Sequence, residues 1–188
     1  MGGEKSIHFI VSVDANPLKW RVPLFVLVLS GVFWLGASLI RVIIGNVLLQ
    51  TGTLQFEEYL PPEAEREIFR LLSIVSLVVI ASYLVVLVSS VAFLRAMPFT
   101  LRRHGWLMMS AILLYLFVPV ELFTAYLDGR MIYLEFFTTA ERDEFRTIFI
   151  SRVAALAGAP FVAMLSYYTI IGLAVLQPMK KKRQTNET

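Results

Sequence analysis

Cysteine is absent from this chain of 188 residues, and histidine occurs only twice, at His8 and His104. The lack of cysteine excludes disulfides, thiolate chemistry, iron–sulfur clusters and cysteine-based zinc sites. The two histidines lie in separate segments, which gives no basis for a histidine-rich metal or haem site within one chain. We therefore expect no metal and no cofactor.

Charged residues are also scarce, because they make up 16% of the chain while 57% of it is hydrophobic, and the mean hydropathy is +0.71. Soluble domains contain about 25% charged and about 45–50% apolar residues. A soluble domain of this size could not bury so much apolar surface, so the composition predicts an integral membrane protein with the lipid bilayer as its surroundings. The net charge of +3 is explained by membrane topology, and no nucleic-acid partner is expected.

Four apolar stretches are long enough to span a hydrocarbon core, which requires about 20 residues. They run at about 22–49, 71–94, 106–127 and 148–176. Backbone groups in lipid must be satisfied internally, so the stretches predict four α-helices in one all-α transmembrane domain. A cleaved signal peptide ending near Gly36-Ala37-Ser38 is the alternative for the first stretch, although the apolar run continues to Leu49.

The distribution of basic residues predicts the orientation in the membrane. The N-terminal segment 1–21, the middle loop and the tail 177–188 together hold ten Lys or Arg residues against three acids. The other two loops hold six Arg residues against ten acids. Basic loops stay in the cytoplasm, so both termini are expected there and the acidic loops outside, with the plasma (inner) membrane as the location.

A short motif occurs twice, as Ala64-Glu65-Arg66-Glu67-Ile68-Phe69-Arg70 and, 76 positions later, as Ala140-Glu141-Arg142-Asp143-Glu144-Phe145-Arg146. Each copy precedes an apolar stretch and follows a turn signal, Thr51-Gly52 or Asp128-Gly129. The pattern predicts two helical-hairpin repeats in the same orientation, related by an axis along the membrane normal. The acids suit helix starts, and we expect the arginines of each copy to pair with acids of the same turns.

The outer segments predict a small extracytoplasmic cap. Short β-hairpins at the two turn signals would pair into one sheet, the alternative being that helices one and three simply end there. Pro61-Pro62 marks the start of helix two, and Thr138 with Glu141 forms a capping box for helix four. Both helices should then begin outside the membrane, with Pro119 and Pro160 kinking helices three and four.

Arg41 and Glu121 are the charges that lie most clearly inside predicted spans. They are expected at similar depth on helices that run in the same direction, so we predict an intramembrane ion pair between them, with Arg152 nearby. Pairing lowers the cost of a charge in the bilayer. Snorkelling of the two side chains to the interface and a functional relay or ligand site are the alternatives.

Helix four carries small residues at a spacing of four, which predicts a close helix-packing face. The face serves contact within the bundle, or alternatively self-association or a partner. Trp34 is expected within the bilayer, and the hydroxyls of Tyr167 and Tyr168 in helix four need polar partners there. The small residues are Ser151, Ala155, Ala159 and Ala163.

The sequence contains no nucleophile elbow, phosphate loop, His-Glu metal helix or dinucleotide fingerprint, and so no catalytic residue is assigned. We expect a non-enzymatic interaction protein, an accessory or assembly subunit that binds another membrane protein or itself. The alternative is a small oligomeric transporter or channel that uses the Arg41 and Glu121 pair. A membrane enzyme and a sensor with a ligand-binding cap are further alternatives.

Overall fold

In the computed structural model, the described residues are 18–50, 53–98, 101, 104–138, 142–154 and 158–177. These residues form six α-helices and, within those ranges, no β-strand. The helices are α1 (Leu18–Asn46), α2 (Pro62–Ala96), α3 (Gly105–Leu116), α4 (Val118–Phe137), α5 (Arg142–Val153) and α6 (Ala159–Leu176).

Four of the helical segments are long and apolar enough to cross a membrane, which confirms the all-α, multi-pass prediction. They are α1, α2, the combined α3 and α4 (33 residues) and α6 (18 residues). The longest is α2, whose 35 residues extend roughly 52 Å at about 1.5 Å per residue. It begins at Pro62, as the Pro-Pro signal predicts, and Glu63 and Glu65 lie in its first turn, where carboxylates favour the helix dipole.

Helices three and four are each divided in two at the positions marked by proline. α3 ends at Leu116, and Pro119 occupies the first turn of α4. α5 ends at Val153, and α6 begins after Gly158, which has a φ of 88°, with Pro160 in its first turn. A proline without an N–H suits a first turn but not a helix interior, and a left-handed glycine interrupts the helical backbone. Interruptions were therefore predicted correctly near Pro119 and Pro160, but the fourth apolar stretch forms two helices, α5 and α6, and not one kinked helix.

The predicted pair of hairpins is also wrong, because Asp128-Gly129 lies inside α4. The buried positions Thr124, Leu127, Asp128 and Met131 recur at helical spacing around it, and this periodicity overrides the local turn signal. In the first unit a single antiparallel bridge joins Leu49 to Phe56. The residues 51–52 that would form its turn lie outside the described part.

Thr138 is the C-terminal cap of α4, and its hydroxyl donates to the carbonyl of Leu134 at 2.9 Å. Glu141, the second member of the capping box assigned to Thr138, lies outside the described residues, and α5 begins one position after it. The hydroxyl of Thr138 therefore satisfies a carbonyl at the end of α4, and the capping box itself stays a prediction.

Two separate apolar cores hold the helices together. The first core surrounds Trp34 between α1, α2 and α6, and its other buried members are Leu35, Val79, Tyr83, Val86, Ala163 and Tyr167. The second core joins the start of α2 to α4, α5 and the end of α1, and its buried members are Leu48, Phe69, Leu72, Met131, Phe145, Ile148 and Phe149. A layer of buried polar and charged side chains lies between these two cores along α1, α2 and α4.

Candidate functional site

Arg41 stands at the centre of this polar layer, with 4% of its side chain exposed. Its Nε donates to the hydroxyl of Ser76 on α2 at 2.7 Å. Its Nη2 donates to the carboxylate of Asp128 on α4, with which it forms an ion pair. Arg41 thereby links three helices, because the planar guanidinium directs its donors to two different acceptors.

Asp128 also accepts a hydrogen bond from a second arginine, Arg152 of α5. The Nε of Arg152 lies 2.8 Å from the same carboxylate oxygen, and only 2% of the Asp128 side chain is exposed. A buried carboxylate of this kind is stable only when it is paired and hydrogen-bonded, as it is here. We call Arg41, Asp128 and Arg152 the charged triad, and its formal charge is positive because two guanidiniums share one carboxylate.

The structure therefore gives Arg41 a different partner from the one predicted. The ion pair joins Arg41 to Asp128 instead of Glu121, while Arg152 lies in the same group, as expected. The error came from assigning Asp128 to an outer turn. A signal was present in the sequence, because Glu121 and Asp128 are seven residues apart, which is about two helical turns and places both on one face of a helix.

Glu121 lines the same cavity as the charged triad but forms no ion pair with a described residue. The cavity has a volume of about 240 Å³ and lies between α1, α2, α4, α5 and α6. Its charged lining consists of Arg41, Glu121, Asp128 and Arg152. The carboxylate of Glu121, which is not part of the triad, therefore lines the same cavity as the positively charged triad.

Aromatic side chains form another wall of this cavity. The Trp34 ring lies 4.9 Å from the Tyr83 ring and 4.6 Å from the Tyr167 ring, between centroids, and all three line the cavity. The indole Nε1 is buried without a hydrogen-bond partner in the described part of the chain. The hydroxyls of Tyr83 and Tyr167 lie next to each other. Trp34 is thus an interior residue, and the polar neighbour of the Tyr167 hydroxyl is Tyr83.

A second ionic cluster joins the two copies of the repeated motif. Glu65 of the first copy accepts from Arg142 and Arg146 of the second, with the Nε of Arg142 at 2.7 Å and the Nε of Arg146 at 2.6 Å. The hydrogen bond to the Glu65 carboxylate, which favours the charged guanidinium, raises the pKa of Arg146 above its ordinary value. We call Glu65, Arg142 and Arg146 the motif clamp.

The motif clamp corrects the expectation that each copy is paired internally. Among the described residues of the two copies, only Arg70 and Glu67 form an ion pair within one turn, at 3.8 Å, and both side chains are exposed. Equivalent positions of the two copies meet instead, since the rings of Phe69 and Phe145 stack with centroids 5.5 Å apart. Contacts between the copies depend on the approach of distant segments, which no spacing within either copy could indicate.

The predicted face of small residues is not one continuous surface. Ser151 is exposed on α5, Ala159 begins α6, and Ala163 is fully buried in the first core. Ala155 lies outside the described residues. α5 ends at Val153 and α6 begins after the left-handed Gly158, so the three described positions lie on two helices and their spacing of four does not place them on a shared face.

Within the described ranges, no group of three His, Asp or Glu side chains is arranged to hold a metal ion. The candidate site is therefore the cavity with the charged triad, Glu121 and the aromatic wall. The chain shows no significant match to a family model, to a curated protein or to a solved structure, so the chemistry of its site is argued from its own residues.

Proposed function

We propose that the chain is a non-enzymatic, multi-pass protein of the plasma membrane that acts as an accessory or assembly subunit for another membrane protein. The supporting observation is a set of exposed aromatic side chains at the end of α4. Tyr126, Tyr133 and Phe137 are 62%, 58% and 74% exposed, and their spacings of seven and four residues place them on one helix face. Aromatic residues are enriched in protein interfaces.

The proposed membrane boundary places part of this face outside the bilayer. If about 20 residues of each span lie in lipid, counting from the basic ends, the outer boundary falls near Arg41, Ser76 and Asp128. The second core, the motif clamp and the last three turns of α4 then form an extracytoplasmic cap built of helices. Tyr133 and Phe137, whose rings stack 5.8 Å apart, lie beyond the interfacial belt in this arrangement.

The internal repeat belongs to the same proposal. α1 with α2 forms one unit, and α3–α4 with α5–α6 forms the second, in the same orientation. The stacking of Phe69 on Phe145, which are equivalent positions of the repeated motif, supports this interpretation. The two units differ in that the second has helix breaks at Phe117 and before Gly158.

The absence of cysteine makes the orientation directly testable with single-cysteine reporters. Glu144 and Lys19 are both exposed, the first on α5 and the second at the start of α1. In intact cells, a membrane-impermeant maleimide should label Glu144→Cys and leave Lys19→Cys unlabelled until the membrane is opened. The reverse pattern would overturn the proposed location of the termini.

The partner is testable by purification in a mild detergent from cells that express the tagged chain at a low level. We expect another membrane protein to co-purify with the wild type and to be lost from Tyr133→Ala/Phe137→Ala. The control is Tyr168→Ala, because Tyr168 is an exposed aromatic residue of α6 outside the proposed face. Recovery of the wild-type chain alone, or retention of the partner by the double variant, would contradict the role.

A small oligomeric transporter or channel is the second candidate, and the cavity beside Arg41 and Glu121 is the observation that favours it. A pathway requires access from both sides of the membrane, whereas a binding site requires access from one. Ser38 lines the cavity, so Ser38→Cys is a suitable probe. Labelling of this cysteine from both sides, in cells and in inverted vesicles, would favour transport, and labelling from one side would exclude an open pathway.

A further inference from the structure

The cavity is lined by the acidic side chain of Glu121 and by the positively charged triad, which do not form an ion pair with each other. Asp128 takes both arginine contacts, so the charged triad keeps an excess positive charge. Glu121 lies on the same cavity and has no ion partner among the described residues. A charge in a membrane requires compensation, and Glu121 and the charged triad line one cavity without forming an ion pair with each other.

The aromatic wall adds a second recognition element to Glu121. Trp34, Tyr83 and Tyr167 are each at least nine-tenths buried, and all three line the cavity together with the carboxylate. Aromatic faces next to a carboxylate are the surroundings that bind an organic ammonium group, because the ring quadrupole and the negative charge both attract it. The buried indole Nε1 of Trp34, which has no hydrogen-bond partner among the described residues, adds a donor to this wall.

We propose that this cavity binds a small zwitterion, with its ammonium group at Glu121 and the aromatic wall and its carboxylate or phosphate at Arg152. Arg152 suits the anionic end because 18% of its side chain is exposed, whereas Arg41 is 4% exposed and already holds both Ser76 and Asp128. This ligand site is independent of the proposed assembly role and of a transport pathway.

The size of the cavity limits the ligand. A volume of about 240 Å³ lies below the roughly 300–1,000 Å³ that is usual for drug-sized ligands. A molecule with two opposite charges and few other atoms matches this volume. The same chemistry occurs in free small zwitterions and in the head groups of zwitterionic lipids, and a cavity between membrane helices is accessible to either source.

The test uses the full chain in dodecyl maltoside, whose uncharged head group does not compete for the site. Labelled glycine betaine and labelled phosphocholine are titrated by a scintillation-proximity assay. Saturable binding of at least one of them is expected, with choline and acetate at least about tenfold weaker because each offers a single charge. Displacement of the label by lysophosphatidylcholine at concentrations at least about tenfold below those of the unlabelled free zwitterions would identify a lipid head group as the source, and the reverse order would identify a free molecule.

The decisive variant is Glu121→Gln, which removes the charge and keeps the shape. Affinity for the bound zwitterion should fall at least about tenfold, since a charge-assisted contact is lost. Glu121 forms no ion pair with any residue in the described ranges, so the variant should elute and unfold like the wild type. The matched control is Glu144→Gln, an exposed carboxylate of α5, which should bind unchanged.

Three results would overturn the site. The first is that neither labelled zwitterion nor lysophosphatidylcholine binds saturably up to about 10 mM. The second is that Glu121→Gln binds with unchanged affinity. The third is that choline binds as tightly as glycine betaine. None of these results bears on co-purification of a membrane partner, so failure of the ligand site and failure of the assembly role are separate outcomes.

Discussion

The charged triad and the motif clamp share one arrangement in different surroundings. In each, one buried carboxylate accepts two arginines, Asp128 from Arg41 and Arg152, and Glu65 from Arg142 and Arg146. The triad arginines are 4% and 18% exposed, whereas those of the clamp are 41% and 29% exposed. The comparison predicts that loss of the carboxylate costs more stability in the triad than in the clamp, because solvent can more readily replace a lost partner in the clamp.

The largest effect is expected from Asp128→Asn. The change leaves two guanidiniums without a counter-charge in a buried layer, and the removal of one partner from a buried ion pair costs about 3–5 kcal/mol. The free energy of unfolding, measured by denaturant titration in mixed micelles, should fall by that amount. Arg41→Met/Asp128→Asn should regain part of this stability, since only the guanidinium of Arg152, which is 18% exposed, then lacks its counter-charge.

A smaller loss is expected from Glu65→Gln. The two clamp arginines retain access to water, so the cost is that of lost charge-assisted hydrogen bonds, about 1.5–3 kcal/mol. The same unfolding measurement applies, with Glu67→Gln as the control because Glu67 and Arg70 form an exposed pair worth about 0–1 kcal/mol. A loss in the free energy of unfolding as large as that of Asp128→Asn would contradict the expected difference between the motif clamp and the charged triad.

Ser76→Ala should have a moderate effect. It removes the hydroxyl that accepts from the Nε of Arg41 at 2.7 Å, while the ion pair with Asp128 remains. We expect a loss of about 1.5–3 kcal/mol if the buried Nε is left without an acceptor, and less if Arg41 turns both donors to Asp128. Ser82→Ala is the control, since the hydroxyl of Ser82 bonds only to carbonyls of its own helix.

The smallest effect on the free energy of unfolding is expected from a change in salt concentration. An increase in ionic strength from about 0.1 M to about 1 M shortens the Debye length from about 10 Å to about 3 Å. The cost of Glu65→Gln should shrink at high salt, because the clamp arginines are partly exposed, while the cost of Asp128→Asn should not change. Equal salt dependence of the two costs would show that both clusters are equally accessible to solvent.

The amphipathic and apolar patterns predicted most of the helical architecture. The four spans, the start of α2 at Pro62 and the importance of Pro119 and Pro160 all follow from composition and from the backbone chemistry of proline. The Asp-Gly signal failed because tertiary burial of Leu127 and Met131 favours a helix through that position. Local turn propensity is weak when the flanking residues are drawn into a core.

Composition and residue pattern were sufficient to predict an all-helical chain with four apolar spans, and they indicated that Arg41 requires a partner within the membrane. Only the packing of the helices shows that this partner is Asp128, that Glu65 binds the second copy of the motif, and that Glu121 lies on the shared cavity without an ion pair to a described residue. These contacts could not be predicted from sequence because the partners are far apart along the chain. The bonded residues are 87 positions apart for Arg41 and Asp128 and 77 for Glu65 and Arg142, so their contacts depend on which helix faces meet.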